Sequence, residues 1–166
     1  MTLQTPRFDV VGQLAALRRY ARSLTRDAAD AEDLVHDALV RAYEGRGGFR
    51  AGGDLRRWLM SIVHNTFVDR LRRRRVERDR LADAAEATVG HAGPEQDHAV
   101  RLAQIRAAFM TLPEEQRAAL HLVAIEGFSY TDAAAALGVP VGTLMSRLAR
   151  ARAALRAVED GDASGG

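Results

Sequence analysis

Apolar residues in this chain recur at intervals of three and four, the period of one buried helix face, and that recurrence constrains the fold more than any other feature. Val10, Leu14, Leu17, Ala21 and Leu24 draw a first stripe. A second helix is predicted to start near Asp27 to Asp30, where carboxylates suit the positive end of the helix dipole. It buries Ala31, Leu34, Val35, Ala38, Leu39 and Ala42 and stops at Gly45. The tract Gly45-Arg-Gly-Gly-Phe-Arg-Ala-Gly-Gly53 is a loop, because each interior glycine costs a helix about 1 kcal/mol relative to alanine. Asp54 then N-caps a long third helix, with Leu55, Trp58, Leu59, Ile62, Thr66 and Phe67 in register and a basic run over residues 70–75 at its end.

From Val76 to about His98 the period fades and Glu77, Asp79, Asp83, Glu86, Glu95 and Asp97 outnumber Arg78 and Arg80, so the segment reads as an acidic linker. The period resumes with Val100, Leu102, Ile105, Phe109 and Leu112, and stops at the residue before Pro113. Pro113 opens the next helix in the first-turn position it prefers, Leu120, Val123 and Ala124 supply its core, and Gly127 closes it. Ser129-Tyr-Thr-Asp132 resembles a capping box with Asp in place of the usual Glu or Gln, and launches a short helix over residues 130–137. Gly138-Val-Pro140 is a tight turn. A last helix then runs over residues 141–158 with Leu144, Leu148, Ala151 and Leu155 inward, and residues 159–166 are expected to be a disordered tail.

Composition agrees with a helical fold: 47% of residues are apolar but only 5% aromatic, which suits small bundles cored by Leu, Ala, Val and Ile. The absence of cysteine excludes a disulfide framework and any cysteine-based zinc or redox site. Residues 1–12 carry Pro6, Arg7 and Asp9 and lack the apolar core of a secretion signal. No stretch approaches the roughly 18 apolar residues of a membrane span. A cytoplasmic protein without direct membrane insertion is expected. Enzyme readings find no footing. Glu32 and His36 lack further ligands at metal spacing, and His64, His91, His98 and His121 have no nucleophile context or phosphate-binding loop beside them. Neither catalysis nor a cofactor is expected.

Two constellations point to nucleic acid. All 24 basic residues are Arg, whose planar fork suits phosphates and guanine edges. At the carboxyl end, short helix, turn and second helix have the spacing of a helix-turn-helix, whose second helix enters the major groove. On that helix Thr143, Ser146, Arg147 and Arg150 share one face. In the amino-terminal half, Arg70, Arg72, Arg73, Arg74 and Arg75 end a helix that also carries His64, Asn65 and Asp69, with Trp58 on its apolar stripe. Asp30, Glu32, Asp33, Asp37 and Glu44 make the second helix acidic on one side, a face suited to solvent or to a basic protein partner rather than to DNA.

Asp30-Ala-Glu-Asp-Leu-Val-His-Asp-Ala-Leu-Val-Arg-Ala-Tyr43 closely resembles the acidic helix of extracytoplasmic-function (ECF) sigma factors. Residues 57–75 resemble the helix that follows it in that family, and Leu112-Pro-Glu-Glu-Gln-Arg117 and Gly142-Thr-Leu-Met-Ser-Arg-Leu-Ala-Arg-Ala-Arg152 resemble the two ends of its region 4. The blocks occur in the family's order. Met145, where Lys is frequent, and Asp132-Ala-Ala134, in place of a commoner Glu-Ile-Ala, depart from the family pattern and leave the promoter sequence open.

The resemblance implies an all-α protein of two small helical domains joined by a flexible linker: residues 8–76 as region 2, 77–97 as linker and 98–158 as region 4. It implies that Asp30, Asp33, Leu34, Asp37 and Tyr43 bind core RNA polymerase, and that the acidic linker threads the polymerase's RNA path. Trp58, His64, Asn65, Asp69, Arg72 and Arg73, with the loop at residues 49–53, would hold the minus-ten element of promoter DNA. Thr143, Ser146, Arg147 and Arg150 would read the minus-thirty-five element. It also implies control from outside by an anti-sigma factor. Two rivals stand beside this reading: a stand-alone helix-turn-helix regulator, and a sigma mimic that starts no transcription.

Overall fold

Three helices begin where a side chain accepts from a backbone N–H that the first turn leaves unpaired. Asp27 accepts from the Ala29 N–H at 3.1 Å, Asp54 from the Arg57 N–H at 3.2 Å and Ser129 from the Asp132 N–H at 3.1 Å. The computed structural model describes residues 8–81 and 97–163, and across them the chain forms seven α-helices. In order these are α1 (Leu14–Leu24), α2 (Ala28–Glu44), α3 (Leu55–Arg80), α4 (Asp97–Thr111), α5 (Glu114–Leu120), α6 (Tyr130–Leu137) and α7 (Val141–Ala163). Short 3-10 turns at Val11–Gln13 and Arg46–Gly48 accompany them, and α5 runs on into a π turn, His121–Ile125. The central part of the acidic linker, residues 82–96, lies outside the described residues.

Two boundaries differ from the sequence expectation. α3 continues past residue 75 to Arg80, because Arg and Glu are good helix formers and nothing in residues 76–80 breaks a helix. α7 continues past residue 158 to Ala163 and takes Gly161 into the helix, so the expected disordered tail is helical that far.

α1, α2 and α3 pack against one another as a three-helix unit around Leu17, Leu24, Leu34, Leu59, Met60 and Val63. α5, α6 and α7 form the second unit around Ala119, Leu122, Ala133, Leu144 and Leu148. The units are not separate in space. α5 packs on α1 and α6 on α3, and one continuous apolar cluster draws side chains from both. α3 is therefore covered on two sides, by α2 and by α6, and its buried set extends beyond the single expected stripe to Met60, Val63 and His64. α4 contributes less to the interior: Leu102 and Ile105 are exposed, and burial comes only toward its end, at Ala108, and at Leu112 just past it.

Candidate nucleic-acid and protein interfaces

The helix-turn-helix is built by its turn. Gly138 adopts the left-handed conformation (φ +66°), which lets the Val139 N–H reach back to the Ala134 carbonyl at 3.0 Å and closes α6. Pro140 then leads into α7, where Leu144, Leu148 and Ala151 face inward and are buried. Of the four residues expected to read DNA, Ser146 and Arg150 are exposed and Thr143 and Arg147 are half-buried. The Ser146 hydroxyl donates to the Gly142 carbonyl at 3.1 Å, so in this state it serves its own helix.

On α3, Asn65, Arg72 and Arg73 are exposed and Asp69 is half-buried. Arg41 donates to Asp69 at 2.8 Å, and that hydrogen bond holds the Asp69 carboxyl below the usual carboxylate range. Trp58 packs in an aromatic trio with Phe8 and Phe49, ring centroids 5.7 and 5.3 Å away, which ties the glycine-rich loop to α3. His64 is a correction to the surface expected from the sequence. It is 9% exposed and turned inward, its Nδ1 3.1 Å from the Tyr20 hydroxyl.

Leu34 on α2 is the second correction: at 0% exposure it is core, and it can act on a partner only by holding α2 in place. Tyr43 stands 62% exposed, with the Arg46 guanidinium 4.1 Å over its ring. Asp30 pairs with Arg74 at 3.7 Å and Asp37 with Arg70, so the basic end of α3 partly neutralises the acidic face of α2. Asp33 is exposed and has no ion-pair partner among the described residues. Exposed ion pairs are worth about 0–1 kcal/mol, so a basic partner can displace these arginines at small cost.

Sequence reasoning missed the polar seam between the units. Arg117, 2% exposed, donates from Nε to the Ser23 carbonyl at 2.7 Å and from Nη2 to the Leu24 carbonyl at 3.0 Å, and also donates to Leu112. The first two are carbonyls at the end of α1, the negative end of its dipole. Burial lowers the Arg117 pKa from its ordinary value, and the Glu114 carboxylate works against it. The Glu126 carboxylate, its side chain fully buried, accepts from Arg19 at 3.1 Å, lies 3.7 Å from Arg56, and accepts from His121 Nε2 at 3.1 Å. Burial lowers the His121 pKa and outweighs the nearby carboxylate, so His121 is neutral here and its contact with Glu126 is a hydrogen bond rather than an ion pair. Arg57 of α3 pairs with Asp132 of α6 at 3.1 Å. One signal was available: Tyr20 lies three residues after Leu17 and four before Leu24, and Arg117 three before Leu120, so both fall on the apolar stripes of their helices.

A three-helix unit with an acidic face and a basic helix end, docked on a helix-turn-helix unit, defines a two-part promoter-recognition protein of the sigma-70 type. The family profile "Sigma-70 region 2" matches residues 12–77 and "Sigma-70, region 4" matches residues 102–155. The ECF RNA polymerase sigma factor EcfG of Rhodopseudomonas palustris is 41% identical over 152 residues, 92% of this chain and 83% of that protein. SigM of Mycobacterium tuberculosis is 39% identical over 142 residues, 84% of this chain and 69% of that one. The solved structure of the sigma factor RpoE in complex with the anti-sigma factor NepR from Bartonella quintana superimposes with a TM-score of 0.76 at 35% identity, covering 91% of this chain and 94% of that one. The chain belongs to the ECF RNA polymerase sigma factors. It is accordingly a transcription initiation factor and not an enzyme, and its role is promoter-specific initiation.

Proposed function

We propose that residues 8–76 form the domain that binds core RNA polymerase and the minus-ten element, that residues 98–158 form the domain that reads the minus-thirty-five element, and that residues 77–97 are the linker between them. Asp30, Asp33, Asp37 and Tyr43 dock on the polymerase; Leu34 supports them from the core. Trp58, Asn65, Asp69, Arg72 and Arg73 face the minus-ten strand, with His64 acting through the position of α3. The observation that carries the reading is the helix-turn-helix, with Thr143, Ser146, Arg147 and Arg150 on the side of α7 away from Leu144 and Leu148. We place the protein in the cytoplasm, where its template lies. No helix among the described residues is long and apolar enough to cross a membrane. An anti-sigma factor holds the protein inactive, a reading supported by the likeness to RpoE bound to NepR.

The division of labour is tested by binding of reconstituted holoenzyme to a promoter series. Arg147→Ala weakens binding by about 1–3 kcal/mol, and only where the base it reads is present. Arg74→Ala weakens binding to all sequences alike and lowers the slope of log affinity against log salt by about one. Equal effects of the two changes on every promoter contradict the assignment.

A further inference from the structure

The loop between α2 and α3 has glycine at positions 45, 47, 48, 52 and 53, and glycine gives up more backbone freedom on ordering than any other residue. A loop of that composition keeps one shape only where something pins it. The Gly48, Phe49 and Gly53 N–H groups donate to the Gly45, Arg46 and Arg50 carbonyls, and each of these bonds closes a turn within the loop. From residue 45 to residue 54 every residue is exposed except Phe49. The Phe49 ring is therefore the anchor by which the middle of the loop is held to the rest of the protein.

Two rings from different parts of the chain hold that anchor. Trp58 of α3 lies 5.3 Å from Phe49, and Phe8, in the segment before α1, lies 6.0 Å from it at an interplanar angle of 63°. Phe8 also meets Trp58, at 5.7 Å and 66°. Both Phe8 contacts are edge-to-face, a geometry aromatic pairs prefer. The segment is itself fixed in place. The Asp9 carboxylate accepts from the Gly12 N–H at 3.1 Å, and the Gln13 side-chain oxygen accepts from Arg56 Nε at 2.8 Å, which fastens the segment to the first turn of α3. Trp58 belongs to the surface assigned above to the minus-ten strand, so the loop borders that surface. A loop that must be ordered as the strand arrives costs affinity, and one already in shape does not.

We infer that Phe8 is a positioning residue for the minus-ten strand: it wedges Phe49 against Trp58 and so holds the glycine-rich loop in the shape the strand meets. The DNA part of this inference rests on the minus-ten surface proposed above, whereas the clamp on Phe49 is read without DNA or polymerase.

Trp58 is the only tryptophan, so its fluorescence reports on this cluster in the full-length protein. Phe8→Ala should shift its emission to the red and raise iodide quenching about twofold, and should speed hydrogen exchange at the Phe49 and Gly53 amides about fivefold, the order set by losing two ring contacts. Amides in the middle of α3 should exchange as before. In reconstituted holoenzyme, Phe8→Ala should weaken binding of a single-stranded oligonucleotide carrying the minus-ten strand about fivefold, with binding of a duplex carrying only the minus-thirty-five element unchanged. Phe49→Ala should give the same loss, and the double variant should go little further, because both changes release one clamp. Unchanged Trp58 quenching and loop exchange in Phe8→Ala overturn the clamp. Equal loss on both DNA probes, or no loss on either, overturns the positioning role. If the unmodified holoenzyme ignores the minus-ten oligonucleotide, the functional reading above falls and the positioning role with it, while the clamp is still decided by the Trp58 and exchange readings.

Discussion

A histidine turned into the core must be neutral or strongly partnered, and His64 is the former. Burial pushes the Tyr20 phenol far up, so its hydroxyl stays protonated and shares a 3.1 Å hydrogen bond with Nδ1 of the neutral imidazole. Burial, with a smaller push from Arg147, lowers the His64 pKa to about 4. The groups facing it are Tyr20 from α1 and Arg147 from α7. Unfolded, the imidazole returns to about 6.5, so the unfolded chain binds the proton first. The contribution of His64 to stability is therefore complete above about pH 6.5 and is lost as pH falls toward about 4. Between pH 7 and pH 5 that loss is about 2 kcal/mol, at about 1.4 kcal/mol per pH unit below about 6.5. Urea denaturation at the two pH values should show the unmodified protein losing about 2 kcal/mol more than His64→Gln, whose side-chain amide can still hydrogen-bond with Tyr20. Parallel pH dependences would show that the imidazole is hydrated in the folded state.

At the scale of the elements, helix starts were legible and helix ends less so. Asp27, Asp54 and Ser129 announce their helices because a capping side chain bonds within two or three residues of itself, a local interaction the sequence displays. Ends that lack a glycine in the left-handed conformation have no such marker. α3 and α7 accordingly run on into residues that pattern reading assigned to linker and tail. Gly138 is the opposite case, a stop fixed by backbone geometry. A Cβ there would meet nothing within 4 Å, so Gly138→Ala tests the φ of +66° alone. It should destabilise the protein by about 1–2 kcal/mol, the usual cost of a left-handed alanine, as read by chemical denaturation. Gly142→Ala, also in open space but inside α7, should stabilise by a few tenths to about 1 kcal/mol.

Seen as a whole, the molecule departs most from its sequence pattern where the two units meet. Periodicity shows which side of each helix is buried, but not that the α1 stripe is completed by α5, because the contact from Arg117 to the Leu24 carbonyl spans 93 positions of chain. Hence the acidic face of α2 and the polar face of α7 were readable, whereas Glu126 and His121 gave no local sign that they would face the other unit and Arg117 gave only its place on an apolar stripe. Leu34 and His64 were misplaced for a related reason: a family motif marks residues that matter without separating those that touch a partner from those that position the helix.

Run-off transcription with purified core RNA polymerase tests the account most directly, on a template series in which the minus-ten and minus-thirty-five elements are altered one at a time. The prediction is a promoter-dependent transcript that needs this protein, is lost when either element is scrambled, and is reduced at least tenfold by Asp33→Arg together with Asp37→Arg. A chain that binds the polymerase but yields no promoter-dependent transcript, or binds promoter DNA while ignoring the polymerase, would contradict it.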